Sequence, residues 1–274
     1  NSGSTITITA TMSAADGDDV TVAIGTSGTG TEGTDYGTIS DITISAGATT
    51  GTATFDPTDD SVYEGNETAI VAITGVTSSG SASEDGTQSE TITITEDDAG
   101  PTVTLSTSAS SIAENSLSTL TLTATLSNAT TEDVTVALGT SGTGTEGTDY
   151  ANISDITISA GGTTGTATFD PTDDSVYEGN ETAIVAITGV SGGSATENGT
   201  QSETITITEN EAAPTVTLST SASINENSGS SLTLTATLSN ATTADVTVTF
   251  STGGGATEGT DYQTLSNITI SAGN

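Results

Sequence analysis

The sequence predicts an all-β protein: tandem Ig-like, seven-stranded antiparallel β-sandwiches arranged end to end. Three observations predict it. Apolar residues alternate with threonine at period two, near-identical blocks recur at the spacing of a small domain, and turn residues break the alternation at intervals of roughly 8–15 residues. In the segment 101–213, Val103 and Leu105 alternate with Thr, and so do Leu120, Leu122, Ala124 and Leu126. Val134, Val136 and Leu138 follow, then Ile156 and Ile158, Ala167 and Phe169, and Ile205 and Ile207. A period of two sends one set of side chains to a core and leaves β-branched Thr on the outer face. The continuous apolar run Ala183–Ile187 reads as a more buried strand. No segment carries the 3.6-residue period of a helix.

The repeats set the domain organisation. Thr49–Val76 recurs unchanged at Thr163–Val190, 114 positions later. GTEGTDY occupies Gly30–Tyr36 and Gly144–Tyr150, ATEGTDY occupies Ala256–Tyr262, and PTVTLSTSAS begins at Pro101 and at Pro214. A repeat of this length is one small domain rather than a solenoid unit. The chain therefore divides into 1–100, a repeat without its first strand; 101–213, a complete repeat; and 214–274, the N-terminal half of a repeat. Each link between copies is an acidic step followed by proline, Glu96–Pro101 and Glu209–Pro214, which is stiffer than a Gly/Ser tether. Consecutive domains are expected to sit end to end with little play.

Composition removes most chemistry. The 274 residues include 36 acidic side chains and no Lys, Arg, His or Cys, for a formal charge of −36. That excludes thiol nucleophiles, Ser-His-Asp triads, thiolate and imidazole zinc sites, haem ligation, disulfides, Schiff bases and lysine isopeptide bonds. It also excludes a phosphate-binding P-loop and any basic footprint for nucleic acid or anionic lipid. No apolar run is long enough to span a membrane. Asn1-Ser2-Gly3-Ser4 carries neither charge nor an apolar leader, so a leader was removed or the sequence belongs to a longer polypeptide. The ragged ends favour a piece of a long repetitive chain, with strand donation between chains as the alternative.

What survives is carboxylate chemistry. In the middle copy Asp173, Asp174 and Glu178 lie between two strands and Glu181 opens the next. Asp149 ends the Gly/Thr loop, Glu114 follows the first strand, and Glu209 and Glu211 close the last. Carboxylates gathered at one end of a sandwich repel each other unless a cation intervenes, and no side chain here can supply one. Oxygen ligands without nitrogen or sulfur select a hard ion, Ca²⁺ before Mg²⁺. The residues alone leave a second reading open, in which these acids are simply solvated.

Three motifs carry a resemblance. They are a Glu-Asn after the first strand, GT-x-x-GTDY in mid-domain, and DDSVYEGNET leading into an apolar strand. In their order and spacing the chain resembles the Calx-beta domains over nearly its whole length. That family is an Ig-like sandwich of sodium–calcium exchangers, integrin β4 and large bacterial surface proteins, and its calcium-binding members hold the ions at one end. The resemblance implies Ca²⁺ ligands at Glu114, Asp149, Asp173, Asp174, Glu178, Glu181, Glu209 and Glu211 in the middle copy. In the first copy it implies Asp35, Asp59, Asp60, Glu64, Glu67, Glu96, Asp97 and Asp98, with no counterpart of Glu114 because Asn1 matches Asn115. In the third it implies Glu226 and Asp261. Asn210 stands where the first copy has Asp97, a neutral ligand in place of a charged one.

The expected function is the structural repeat region of an extracellular bacterial surface filament or adhesin, stiffened by Ca²⁺ at domain ends and junctions. Alternatives are a Ca²⁺-sensing regulatory module and a glycan-binding sandwich array. The expected partners are neighbouring repeats of the same chain, other copies in a filament, and a surface or glycan target reached through another part. No enzymatic activity is expected: a catalytic pair such as Asp173 and Glu178 would need a cleft and substrate platforms. Tyr36, Tyr63, Tyr150, Tyr177 and Tyr262 recur at fixed positions and read as packing at loop bases. The N-x-Ser/Thr sequons, Asn66 and Asn180 among them, carry little weight in so Thr-rich a chain.

Overall fold

The structure, a computed structural model, describes residues 4–221 and 223–273. Asn1, the expected counterpart of Asn115, lies outside them. The described residues contain strands and no helix.

The middle copy is a two-sheet sandwich. One sheet orders Thr164–Phe169, Leu120–Leu126, Thr102–Thr107 and Thr196–Glu197. The other orders Ile156–Ile158, Val134–Gly142, Glu181–Ser191, Ser202–Thr208 and Ser111–Ala113. Alternation drives the packing: Leu120, Leu122, Ala124 and Leu126 are buried while the residues between them are exposed or half-buried. They meet Val134, Val136, Ile156, Ile158, Phe169, Val185 and Ile205 in a single core. The run Ala183–Ile187 departs from the sequence reading, because only Ala183, Val185 and Ile187 are buried and Ile184 and Ala186 are half-buried. Its strand is central in the sheet, but only one face meets the opposing sheet.

The strands are not all antiparallel. The first strand divides at Ser108–Ser110: Thr102–Thr107 pairs antiparallel with Leu120–Leu126, and Ser111–Ala113 crosses to the other sheet and runs parallel to Thr206–Thr208. This crossing puts Glu114 beside the end of the last strand, where its N–H donates to the Thr208 carbonyl at 3.0 Å.

The first copy repeats this plan with Ile6–Thr11 on Thr50–Phe55 and a sheet ordered Ile42–Ile44, Val20–Gly28, Glu67–Thr77, Ser89–Ile94. The third contributes Val216–Ser219 on Thr235–Leu238 and Val246–Val248 on Ile268–Ile270. Leu218 is 55% exposed there, against 5% for its counterpart Leu105.

Two short parallel pairings join the copies. Val62–Tyr63 pairs with Ala129–Thr130, and Val176–Tyr177 pairs with Ala241–Thr242. The acidic loop of one copy thus touches the segment after the second long strand of the next.

Candidate metal centre

The site begins with a turn. In Asp59–Gly65 the Asp60 carboxylate accepts the Val62 N–H at 2.8 Å, and Gly65 takes a left-handed φ of 79°. The turn aims two successive N–H groups, of Glu64 and Gly65, at a single oxygen of Glu96, at 2.7 and 2.8 Å. The other Glu96 oxygen accepts the Asp98 N–H at 2.8 Å. Asn66 Oδ1 accepts the Glu96 N–H at 2.9 Å, so loop and closing segment are fastened both ways.

The middle copy repeats the device. Glu209 accepts the N–H groups of Glu178 and Gly179 at 2.7 Å each and that of Glu211 at 2.9 Å, and Asn180 holds the Glu209 N–H at 3.0 Å. Converging backbone donors form a concavity for negative charge, and here the protein's own carboxylate fills it.

Around these anchors other acids gather, some on single backbone donors: Asp35 accepts the Thr31 N–H and Asp149 the Thr145 N–H, at 2.6 Å each. Asp35, Glu64 and Glu67 bring one carboxylate oxygen each within 4.8 Å of one another, and so do Glu96, Asp97 and Asp98. In the middle copy the groups are Asp149, Glu178, Glu181 and Glu114, Glu209, Glu211, at the same spacing. In the first copy, Asp35, Asp59, Asp60, Glu64, Glu67, Glu96, Asp97 and Asp98 all line one cavity of about 20 Å³. That is room for a water-sized occupant.

The electrostatics follow from this crowding. Burial, followed by Asp35, Glu67 and Asp60, pushes the Glu64 carboxyl up to about 7. Burial and then Glu209 and Glu211 raise Glu114 to about 7, while burial and then Asp149 and Glu178 do the same to Glu181. Glu67 and Glu178 shift upward for the same reasons, burial first. Burial also works against the charge on Glu96 and Glu209, but their backbone donors outweigh it and hold both below the ordinary carboxylate range. Each site therefore pairs one firmly ionised anchor with acids that lack a positive partner. Glu211 Oε2 is buried with no hydrogen-bond partner. An orphaned carboxylate oxygen facing other carboxylates fits a proton or a cation, and the oxygen-only donor set fits Ca²⁺.

Not every sequence candidate joins a group. Asp173 and Asp174 are exposed, although Asp174 gives its N–H to Glu114 and Asp173 acts on Glu211 through its charge. Glu226 is exposed, and the Asp261 carboxylate accepts the Thr257 N–H at 2.7 Å. Neither belongs to an acidic group among the described residues.

Some motif residues turn out to be structural. Glu32 accepts from Thr26 at 2.7 Å and from the Ile39 N–H at 3.1 Å, and Glu146 does the same for Thr140 and Ile153, at 2.7 Å each. Tyr36 and Tyr150 are buried and stack on Phe55 and Phe169, with ring centroids 4.8 and 4.9 Å apart. The sequence reading missed Asn66 and Asn180. Their signal was position, since each stands two residues after the glutamate whose N–H the anchor takes.

An oxygen-only acidic centre at the loop end of an Ig-like sandwich defines the class: a modular β-domain whose acidic groups could hold a cation. The Calx-beta domain family model matches residues 1–98, 96–211 and 209–269, and the chain belongs to that family, whose domains are Ca²⁺-binding modules. Among solved structures it is similar to the crystal structure of CBD12 from CALX1.2. The two share 15% identity with a TM-score of 0.34, covering 75% of this chain and 93% of that one. It is also similar to the apo-form Calx CBD1 domain, at 16% identity and TM-score 0.34, covering 41% of this chain and 99% of that one. No curated protein matches the chain. Among the described residues no helix is long and apolar enough to cross a membrane.

Proposed function

We propose that this chain is a spacer region of an extracellular bacterial surface filament or adhesin, a row of sandwiches stiffened by Ca²⁺ at their ends. In the first copy Asp35, Glu64, Glu67, Glu96, Asp97 and Asp98 would hold the ions, with Asp59 and Asp60 at the rim. In the second the holders would be Glu114, Asp149, Glu178, Glu181, Glu209 and Glu211, with Asp173 and Asp174 at the rim. Bound Ca²⁺ supplies the positive charge that the polypeptide lacks. The chain's own groups do the rest: Glu96 and Glu209 stay ionised on backbone donors, and the acids around them converge from three separate loops.

One observation carries the mechanical reading. Val62 and Tyr63, which pair with the next copy, stand in sequence between the candidate ligands Asp60 and Glu64. An ion that orders this loop orders the junction as well. Near-identical copies suit a length function better than a specific receptor, and the absence of Lys and Arg removes trypsin sites from an exposed chain.

Calorimetric titration with Ca²⁺, with melting followed in EDTA and in millimolar Ca²⁺, tests the proposal. A dissociation constant of about 10⁻⁴ to 10⁻³ M supports a stiffener working at extracellular calcium, whereas micromolar or tighter binding favours a sensor. Ligation stabilises the folded state by roughly 2.7 kcal/mol per site at 100 times Kd, so chelation should lower the melting temperature by at least about 5 °C. Coincident melting curves would end the proposal.

A further inference from the structure

The two junctions are built from the same parts, and those parts are not the acids. At the first junction the Asn128 amide donates to the Ala99 carbonyl of the linker at 2.9 Å, while Ala129–Thr130 pairs in parallel with Val62–Tyr63. At the second, Asn240 donates to the Ala212 carbonyl at 2.6 Å and Ala241–Thr242 pairs with Val176–Tyr177. Thr130 and Thr242 are buried, two of the three buried polar residues among those described. Both turn their hydroxyls back on the chain, Thr130 to the Glu132 carbonyl at 2.5 Å and Thr242 to the Ala244 carbonyl at 2.7 Å. A residue at this place can then pack against the preceding repeat without leaving an unsatisfied polar atom.

The first copy has the same backbone here with different side chains. Gly47 N–H donates to the Asp16 carbonyl at 2.8 Å, just as Gly161 donates to Thr130 at 2.7 Å and Gly273 to Thr242 at 2.8 Å. A side chain added at Gly80 would collide with the Asp16 carboxylate, as one added at Gly193 would collide with Thr130. Asp16 therefore occupies the place of Thr130, and Ala14 that of Asn128. Ala14 has no amide to reach a linker carbonyl. Asp16 would set a charge against the face a preceding repeat presents, whose Val-Tyr pair is flanked by Asp and Glu.

We infer that Asn-Ala-Thr is a docking code for repeat order. Asn128-Ala129-Thr130 and Asn240-Ala241-Thr242 fit the trailing face of another repeat of this kind, and Ala14-Ala15-Asp16 rejects it. The code selects which repeat follows which, and it operates without an ion, so it stands apart from the calcium proposal.

The chain has no cysteine, so introduced pairs report distances cleanly. Thr43, Thr157 and Thr269 are exposed equivalents in the three copies. Spin labels on Thr43→Cys with Thr157→Cys read the first junction, and on Thr157→Cys with Thr269→Cys the second, by double electron–electron resonance on the full chain. Giving the middle copy the first copy's residues, Asn128→Ala with Thr130→Asp, should at least double the width of the first distance distribution in EDTA and in Ca²⁺ alike. The second distribution should stay unchanged. The reciprocal variant Asn240→Ala with Thr242→Asp should broaden only the second, and it provides the test should the first variant fold poorly. Unchanged widths at the altered junctions would overturn the docking code. Widths that ignore Ca²⁺ in the parent chain would instead count against the stiffening proposal alone.

Discussion

The acidic ends of the first and middle copies share a scaffold and differ in charge. In the first, Glu96, Asp97 and Asp98 are three successive acids gathered within 4.8 Å. In the middle copy Asn210 replaces Asp97, and its amide donates to Glu211 at 3.0 Å. That neutral donor relieves part of what a cation would otherwise relieve. Against this, the middle copy has Glu114, only 7% exposed, aimed at Glu209 and Glu211. The difference teaches that the backbone fixes where carboxylates meet, while single side chains set how badly each site needs a positive ion.

The largest effect should come from removing an anchor, which breaks what the two sites share. Glu209→Ala deletes the acceptor of three backbone N–H groups, and Glu96→Ala does the same in the first copy. Each should cost about 2 kcal/mol in EDTA, because charge-assisted bonds are lost before any metal is considered. In calcium the loss should be greater still. Urea unfolding of both variants, with and without Ca²⁺, measures it. Equal stabilities in EDTA would mean that water replaces the carboxylate at no cost.

Exchanging the residue that differs should sharpen the comparison. Asn210→Asp should raise the middle site's Ca²⁺ affinity about tenfold and Asp97→Asn should lower the first site's by a similar factor, one charge at contact distance being worth a little over 1 kcal/mol at a wet surface. Calorimetric titration of the two variants checks both directions at once.

Much of this was legible in the sequence because both signals are local. Alternation of Leu120, Leu122, Ala124 and Leu126 with Thr gives the strand and its buried face, and repetition of DDSVYEG gives the acidic loop. The roles within the site were less legible. Glu32 and Asp35 belong to one motif, yet Glu32 bonds its near neighbours Thr26 and Ile39 while Asp35 faces Glu64 and Glu67, which only the folded sheet brings to it. Likewise Glu96 and Glu209 read as ligands equal to their neighbours, because nothing in composition reveals which carboxylate the loop's N–H groups will choose. The junction strands were invisible: two residues pairing across domains have no period, and Val62–Tyr63 looks like any loop dipeptide. Glu226 and Asp261 are candidates by motif only, since gathering acids takes both halves of a sandwich.

The smallest effect is in pH, and its sign separates crowded acids from solvated ones. Glu64, Glu114 and Glu181 have folded values of about 7 against an ordinary 4.5, burial being the first cause in each. Between those values the folded chain holds more protons than the unfolded one. Their contribution is then complete below about pH 4.5 and fades as pH rises toward 7. Glu96 and Glu209, held low, act oppositely, contributing above about 4.5 and losing it in acid. Without metal, stability should therefore peak near pH 4.5 and decline by a few degrees of melting temperature toward neutrality. Calcium selects the ionised forms, so in millimolar Ca²⁺ the decline should flatten or reverse, with protons released on binding near pH 6. Melting curves from pH 4.5 to 8 in EDTA and in Ca²⁺ read the sign directly. A melting temperature in EDTA that climbs over that range would mean these carboxylates ionise as freely as exposed ones, and that an ion would find no crowding to relieve.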